Sequence, residues 1–125
     1  IGTDETGNPR WSPNEADAVA VIDSVNKEIA VVYNEGMDCF LFTTLDNVTQ
    51  QMVIRDAKNI WGPWSKPSVL FDESYVTHVD NGQKFFYGSF MYSGFMTDDG
   101  RTVYMTLNKW VPYNIQWMKV HFETE

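Results

Sequence analysis

Short runs of β-branched and aromatic residues, separated by tight turns, occupy most of the chain after residue 27. Several of these runs alternate apolar and polar side chains, which is typical of β-strands. Turn sequences such as Asn34-Glu35-Gly36 and Asp98-Asp99-Gly100-Arg101 stand between neighbouring runs. The predicted strands are 28–33, 39–45, 51–57 and 67–71 in a first group, and 86–95, 102–109 and 114–122 in a second. This succession predicts an all-β fold of antiparallel sheets.

The two groups of strands are related by a weak internal repeat, in which Val103 follows Phe40 by 63 residues. The same offset pairs Thr43 with Thr106, Gln51 with Asn114, Met52 with Ile115 and Ile54 with Trp117. Successive sheets of this kind, rich in Trp and Tyr, indicate blades of a β-propeller. The second group lacks a fourth strand, which in propellers commonly comes from the other end of the ring and hides the last sheet edge. We therefore predict about two four-stranded blades of a larger propeller, since 125 residues are too few to close a ring.

The predicted organisation has three parts. Residues 1–27 form an N-terminal arm and outer strand, residues 28–71 a first blade, and residues 72–125 a second blade completed by a strand from elsewhere. Within the arm, residues 12–26 are ambiguous: Ser12-Pro13-Asn14-Glu15 resembles a helix capping box, whereas Val19-Ala20-Val21-Ile22 favours a strand. We favour the strand and keep the helix as the alternative.

The composition excludes several classes of function. A net charge of −8, with 17 acidic and 9 basic residues, disfavours nucleic acid and anionic membrane surfaces as partners. No apolar run is long enough to span a bilayer. Cys39 is the only cysteine, which excludes an intrachain disulfide. His78 and His121 lack ligand-spaced partners and no cofactor motif is present, so neither a metal site nor a cofactor is expected.

Five segments carry a resemblance to a known family of secreted proteins, long catalogued as a domain of unknown function. They are residues 28–35 (EIAVVYNE), 61–67 (WGPWSKP), 87–91 (YGSFM), 99–104 (DGRTVY) and 110–115 (WVPYNI). The family looks like a five-bladed β-propeller related to furanose-cleaving glycoside hydrolases, and some members are endo-D-arabinanases. The resemblance implies that this chain forms the C-terminal two blades. It also implies a carbohydrate partner, and a second polypeptide or further copies that complete the ring.

A secreted, extracellular location follows from the same resemblance. Asn47-Val48-Thr49 is an N-glycosylation sequon within a predicted turn, where a usable sequon is expected to lie. We therefore take Asn47 as the candidate glycosylation site.

Hydrolysis of a glycoside requires two carboxylates across the scissile bond, one as acid and one as nucleophile or base. The resemblance places most of these acids in earlier blades. Within this chain Glu28 is the catalytic candidate, because it begins an inner strand whose end points toward the propeller channel. Other acids near strand ends fit solvated turn residues, namely Glu35, Asp38 and Asp56.

The candidate sugar contacts are Arg55, Tyr87, Tyr92, Trp110, Tyr113 and Asn114. Trp110 and Tyr113 offer flat rings for stacking, and the Asn114 amide can hydrogen-bond to hydroxyls. The alternative is that Trp110 and Tyr113 pack between neighbouring blades. Trp61 and Trp64 fit a structural corner of the first blade.

Two functions follow from these residues. The first is a glycoside hydrolase-like activity on furanoside (arabinan-type) polysaccharide. The alternative is a non-catalytic glycan-binding propeller, a lectin. Tyr92-Ser93 favours the alternative, because many relatives have a His-Pro pair at this point of the resemblance.

Overall fold

The chain folds into two antiparallel sheets, as shown by a computed structural model that describes residues 2–23, 25, 28–46, 48–71, 86–109 and 113–123. The first sheet contains, in spatial order, β1 (Ile29–Asn34), β2 (Cys39–Leu45), β3 (Met52–Ala57) and β4 (Ser68–Phe71). The second contains β5 (Phe86–Met91), β6 (Thr102–Lys109) and β7 (Asn114–His121). No α-helix occurs in the described ranges. The predicted all-β fold is confirmed, as are the four strands of the first group and the three of the second.

The hydrophobic core lies between the two sheets. The side chains that meet there, called the inner faces below, occupy alternate positions of each strand, as the pleat of a strand requires. They include Leu41, Leu45, Met52 and Ile54 from the first sheet and Met91, Val103, Met105 and Leu107 from the second. Burying one aliphatic side chain of this size contributes roughly 1.5–3 kcal/mol to stability. This burial is what holds the sheets together.

A small polar contact joins the inner faces within the core. The Ser89 hydroxyl, 3% exposed on β5, donates to the Thr43 hydroxyl on β2 at 3.3 Å and lies 3.1 Å from the Met52 sulfur. The Thr43 hydroxyl in turn lies 3.4 Å from the Ser89 carbonyl oxygen. Because buried hydroxyls need partners, this contact positions β5 against β2.

The expected strand 86–95 is too long. β5 ends at Met91, and Ser93–Phe95 forms a single turn of 3₁₀ helix. The Phe95 N–H donates to the Tyr92 carbonyl at 3.1 Å, so it makes no ladder bond to a neighbouring strand. Ser93-Gly94 is a turn-forming pair, and its local preference ends the strand.

The strand favoured over 19–22 is also wrong. Residues 18–23 have no regular structure, and a 3₁₀ turn at Glu15–Asp17 precedes them. The Asn14 side chain, and not that of Ser12, caps this turn by accepting from the Ala16 N–H at 3.3 Å. β-Branched residues form a strand only where a neighbour supplies ladder hydrogen bonds, and no described strand pairs with 18–23. The helical alternative is limited to that one turn.

Candidate functional site

Three of the candidate residues meet at one end of the two sheets. Tyr87 is the second residue of β5 and Tyr113 immediately precedes β7. Their rings stack with centroids 6.0 Å apart and planes inclined by 21°. Glu28 immediately precedes β1, and its negative charge acts on the Tyr87 hydroxyl. The Tyr113 side chain is 74% exposed, so one ring of the pair is open to solvent. We call these three residues the Tyr87–Tyr113 cluster.

A β-bulge at Gly88 orients Tyr87. Tyr87 pairs with Asn108 and Ser89 with Leu107, so Gly88 is an extra residue in β5. Gly88 has a φ of +47°, and a Cβ there would lie 3.1 Å from the Phe90 ring and 3.2 Å from the Asn108 amide nitrogen. The bulge turns Ser89 toward the core while Tyr87 lies on the opposite face with Asn108. Bulges commonly re-aim a side chain beside a functional site.

The cluster raises the pKa of the Tyr87 phenol. A hydrogen bond with Tyr113, together with burial and the charges of Tyr113 and Glu28, raises the pKa of Tyr87 to about 12. A protonated phenol can donate one hydrogen bond and accept another. Tyr87 therefore suits contact with a neutral hydroxylated ligand.

Asn114 is next to Tyr113 in the chain but lies on the other face of the second sheet from Tyr87. It is the first residue of β7, follows Tyr113 directly, pairs with Lys109 and is exposed. Sequence reasoning missed two residues at this end: Asn108, which pairs with Tyr87, and Lys109, which is 4% exposed. Lys109 continues the alternation of Val103, Met105 and Leu107, and this pattern could have indicated its burial.

Two candidates lie away from the cluster. Tyr92 follows the opposite end of β5 and contacts Trp117 at a centroid distance of 5.5 Å. Arg55 pairs with Phe42 in the first sheet, and its guanidinium donates to the Ser65 carbonyl oxygen at 2.7 Å. Trp110 and Asn47 lie outside the described residues.

The Trp corner packs against the first sheet, in line with the structural role expected for it. The Trp64 ring lies 5.5 Å from the Phe42 ring, centroid to centroid. The Trp61 indole donates to the Gly7 carbonyl oxygen at 3.0 Å and so links the N-terminal arm to this corner.

A separate open cleft of about 910 Å³ lies at the opposite end of β1 and contains none of the candidate residues. Its acidic side chains are Glu35, Asp98 and Asp99. In the part of the chain that the structure describes, no group of three or more His, Cys, Asp or Glu side chains could hold a metal ion. Nor does any helix in the described ranges have the length and apolar character needed to cross a membrane.

A family model described as Domain of unknown function (DUF4185) matches residues 3–119 of the chain. The chain belongs to the DUF4185 family. The DUF4185 match runs from the N-terminal arm at residue 3 to residue 119 within β7. The expected membership of a family of unknown function is thereby confirmed, whereas the five-bladed propeller and the relation to arabinanases stay predictions. A search of curated proteins finds no match to this DUF4185 domain.

Proposed function

We propose that this domain is the glycan-binding part of a secreted, carbohydrate-active β-propeller that acts on furanoside polysaccharide of the arabinan type. The observation that carries the proposal is the exposed Tyr113 ring, held by stacking at 6.0 Å on Tyr87. A sugar ring presents an apolar face that packs on such an aromatic surface. The sequence resemblance to arabinan-cleaving propellers supplies the class of glycan.

Polar groups around the ring suit sugar hydroxyls. The Tyr87 phenol oxygen can accept a hydrogen bond from a sugar hydroxyl. The Glu28 carboxylate adds acceptors. Stacking fixes the plane of the sugar, and these groups select its hydroxyl pattern.

Hydrolysis is the proposed activity of the completed ring. Glu28 is the one carboxylate among the described residues whose charge acts on Tyr87. Glycoside hydrolysis needs a second carboxylate roughly 5–10 Å away. We propose that a neighbouring sheet of the ring supplies it, so that the chain by itself binds glycan without cleaving it. A non-catalytic lectin is the second candidate, and the single carboxylate at the cluster favours it.

Binding to arabinan, measured by affinity electrophoresis, tests the proposal. Tyr113→Ala removes the stacking surface and is expected to weaken binding about tenfold. Tyr33→Ala is the matched control, since Tyr33 is a partly exposed tyrosine at the other end of β1. Absence of binding by the unaltered chain, or equal losses in both variants, would overturn the proposal.

A reducing-end assay separates the two candidates. Release of reducing ends from arabinan by a complex that contains this chain, absent from the chain alone and lost in Glu28→Gln, would support hydrolysis by the completed ring. Retention of arabinan without release, in the chain alone and in any complex it forms, would support the lectin.

A further inference from the structure

The two sheets have the same strand register. Thr43 pairs with Ala30 and Ile54 in the first sheet, and Thr106 pairs with Phe90 and Trp117 in the second. Thr43 and Thr106 are also related by the 63-residue repeat. The paired positions of β1, β2 and β3 therefore have equivalents in β5, β6 and β7.

Equivalent positions differ sharply in exposure. Met52 and Ile54 on the inner face of the first sheet are 0% and 9% exposed, whereas their equivalents Ile115 and Trp117 are 70% and 53% exposed. Ala30 is 8% exposed and its equivalent Phe90 is 41% exposed. The second sheet has a face that points away from the core, called its outer face. This exposed outer face is thus equivalent to the inner face of the first sheet, which is buried.

The other two faces are also equivalent, but their exposures do not differ in the same way: Phe42 is 3% exposed because the Trp64 ring of the same chain packs on it at a centroid distance of 5.5 Å. Val103 and Met105, buried on the inner face of the second sheet, are equivalent to Phe40 and Phe42, on the outer face of the first. Within the chain, therefore, two different faces meet. The Met52–Ile54 face of the first sheet packs on the face of the second sheet that is equivalent to the Phe40–Phe42 face of the first. Such head-to-tail contacts are heterologous, and they repeat until a ring closes or a filament forms.

Both outer faces expose apolar side chains. On the second sheet Trp117 is surrounded by Tyr92, Phe95 and Tyr104, with ring centroids 5.5–5.9 Å apart. Exposed aromatic clusters of this kind mark interaction surfaces. On the first sheet an apolar concavity of about 320 Å³ is open between β1 and the N-terminal arm; it is lined by Val21, Ile22, Val25, Ile29, Val31, Phe42, Ile60 and Trp64.

We propose that the outer face of the second sheet docks onto the outer face of the first sheet in a second copy of this chain. The shared register indicates the arrangement, and the exposed Ile29 and Val31 side chains of β1 are the part of this face that is open to a second copy. The aromatic cluster around Trp117 then packs against β1 and the concavity around Val31 of the neighbouring copy. This proposal goes beyond glycan binding and does not depend on it.

Sedimentation velocity over a range of concentrations tests the proposal. We expect association above the 14.4 kDa mass of one chain, measured at low and high salt because each copy carries a net charge of −8. Trp117→Glu and Val31→Glu each alter one side of the contact and are expected to weaken association at least tenfold. Trp11→Glu, at an 83% exposed site in the N-terminal arm, is the matched control and is expected to associate normally.

Mixing the two variants decides between a head-to-tail contact and a symmetric one. Trp117→Glu keeps an intact first sheet and Val31→Glu an intact second sheet, so an equimolar mixture is expected to form a dimer that neither variant forms alone. Phe95→Lys and Ile29→Lys, at 56% and 49% exposed positions, repeat the test if either glutamate variant fails to fold. A chain that remains monomeric at every concentration and salt would overturn the proposal. So would association that Val31→Glu leaves unchanged, or a mixture that fails to associate.

Discussion

Asn34 and Gly100, 66 residues apart, form a buried hydrogen bond that joins the two sheets at the end opposite the Tyr87–Tyr113 cluster. The Asn34 amide nitrogen donates to the Gly100 carbonyl oxygen at 2.8 Å, and its amide oxygen accepts from the Met37 N–H at 3.1 Å. Asn34 is 0% exposed. Gly100 has a φ of +80°, and a Cβ there would overlap the Asn34 amide oxygen. The β1–β2 turn and the turn before β6 therefore fit together only with these two residues.

Replacing Asn34 is expected to destabilise the chain. Asn34→Ala leaves the Gly100 carbonyl and the Met37 N–H without their partner, and buried groups of this kind cost roughly 2–4 kcal/mol together. The free energy of unfolding, measured by urea denaturation, checks this value. Asn59→Ala, at an exposed position, is the control and is expected to change stability by less than about 0.5 kcal/mol. Equal stabilities for the two variants would contradict the role assigned to Asn34.

Tyr87 is expected to ionise at unusually high pH. At about pH 10.5 an ordinary tyrosine is mostly ionised, whereas Tyr87, with a pKa of about 12, remains protonated. The ¹³Cζ chemical shift of Tyr87 measures this directly. Tyr113→Phe removes the largest cause of the shift and is expected to lower the Tyr87 pKa toward 10. A Tyr87 pKa near 10 in the unaltered chain would contradict the hydrogen bond with Tyr113.

The raised pKa of Tyr87 also predicts how the stability of the fold changes at alkaline pH. Because the folded-state pKa of Tyr87 lies above that of the unfolded chain, its contribution to stability is complete below about pH 10. That contribution is lost as the pH rises toward 12. Tyr113→Phe should therefore lose less stability over this interval than the unaltered chain does.

Acid is expected to destabilise the fold through hydrogen-bonded carboxylates. The Asp46 carboxylate accepts from the N–H groups of Thr49 at 2.8 Å and Val48 at 2.9 Å, and these bonds lower its pKa below the usual 3.8. Hydrogen bonds from Thr6 and Tyr33 likewise lower the pKa values of Asp4 and Asp38. The stabilisation is complete above the unfolded pKa and is lost as the pH falls through the lowered values. Urea denaturation below about pH 4 should show this loss, with a smaller dependence on pH in Asp46→Asn; an unchanged dependence would refute the assignment.

Glycosylation of Asn47 is expected when the chain is secreted from a eukaryotic cell. Val48 within the sequon is 92% exposed, and Asp46 holds the surrounding turn by bonding to Val48 and Thr49. Mass spectrometry before and after glycosidase treatment should show the loss of one N-linked glycan. Asn47→Gln should lack this glycan, and secretion of an unmodified wild-type chain would contradict the prediction.

The sequence by itself determined the strands and their order. Alternation of side chains and β-branched composition act within a single strand, so β2 at Cys39–Leu45 and β6 at Thr102–Lys109 are predicted with their observed bounds. Over residues 19–22 the β-branched side chains predict a strand, but the structure has none there, because no described strand pairs with this segment. Individual candidates such as Tyr87, Tyr113 and Glu28 could likewise be chosen by residue type and position.

Only the tertiary structure decided that these three residues meet. Glu28 immediately precedes β1 of the first sheet whereas Tyr87 lies in β5 of the second, and the extra residue Gly88 sets the face on which Tyr87 lies. The structure also separated Tyr92 and Arg55 from the cluster, although both begin as equal candidates in the sequence. The physical reason is the separation of the interacting residues along the chain. Strand propensity and periodicity depend on near neighbours in the sequence, whereas the packing of one sheet on another depends on contacts between residues far apart in it.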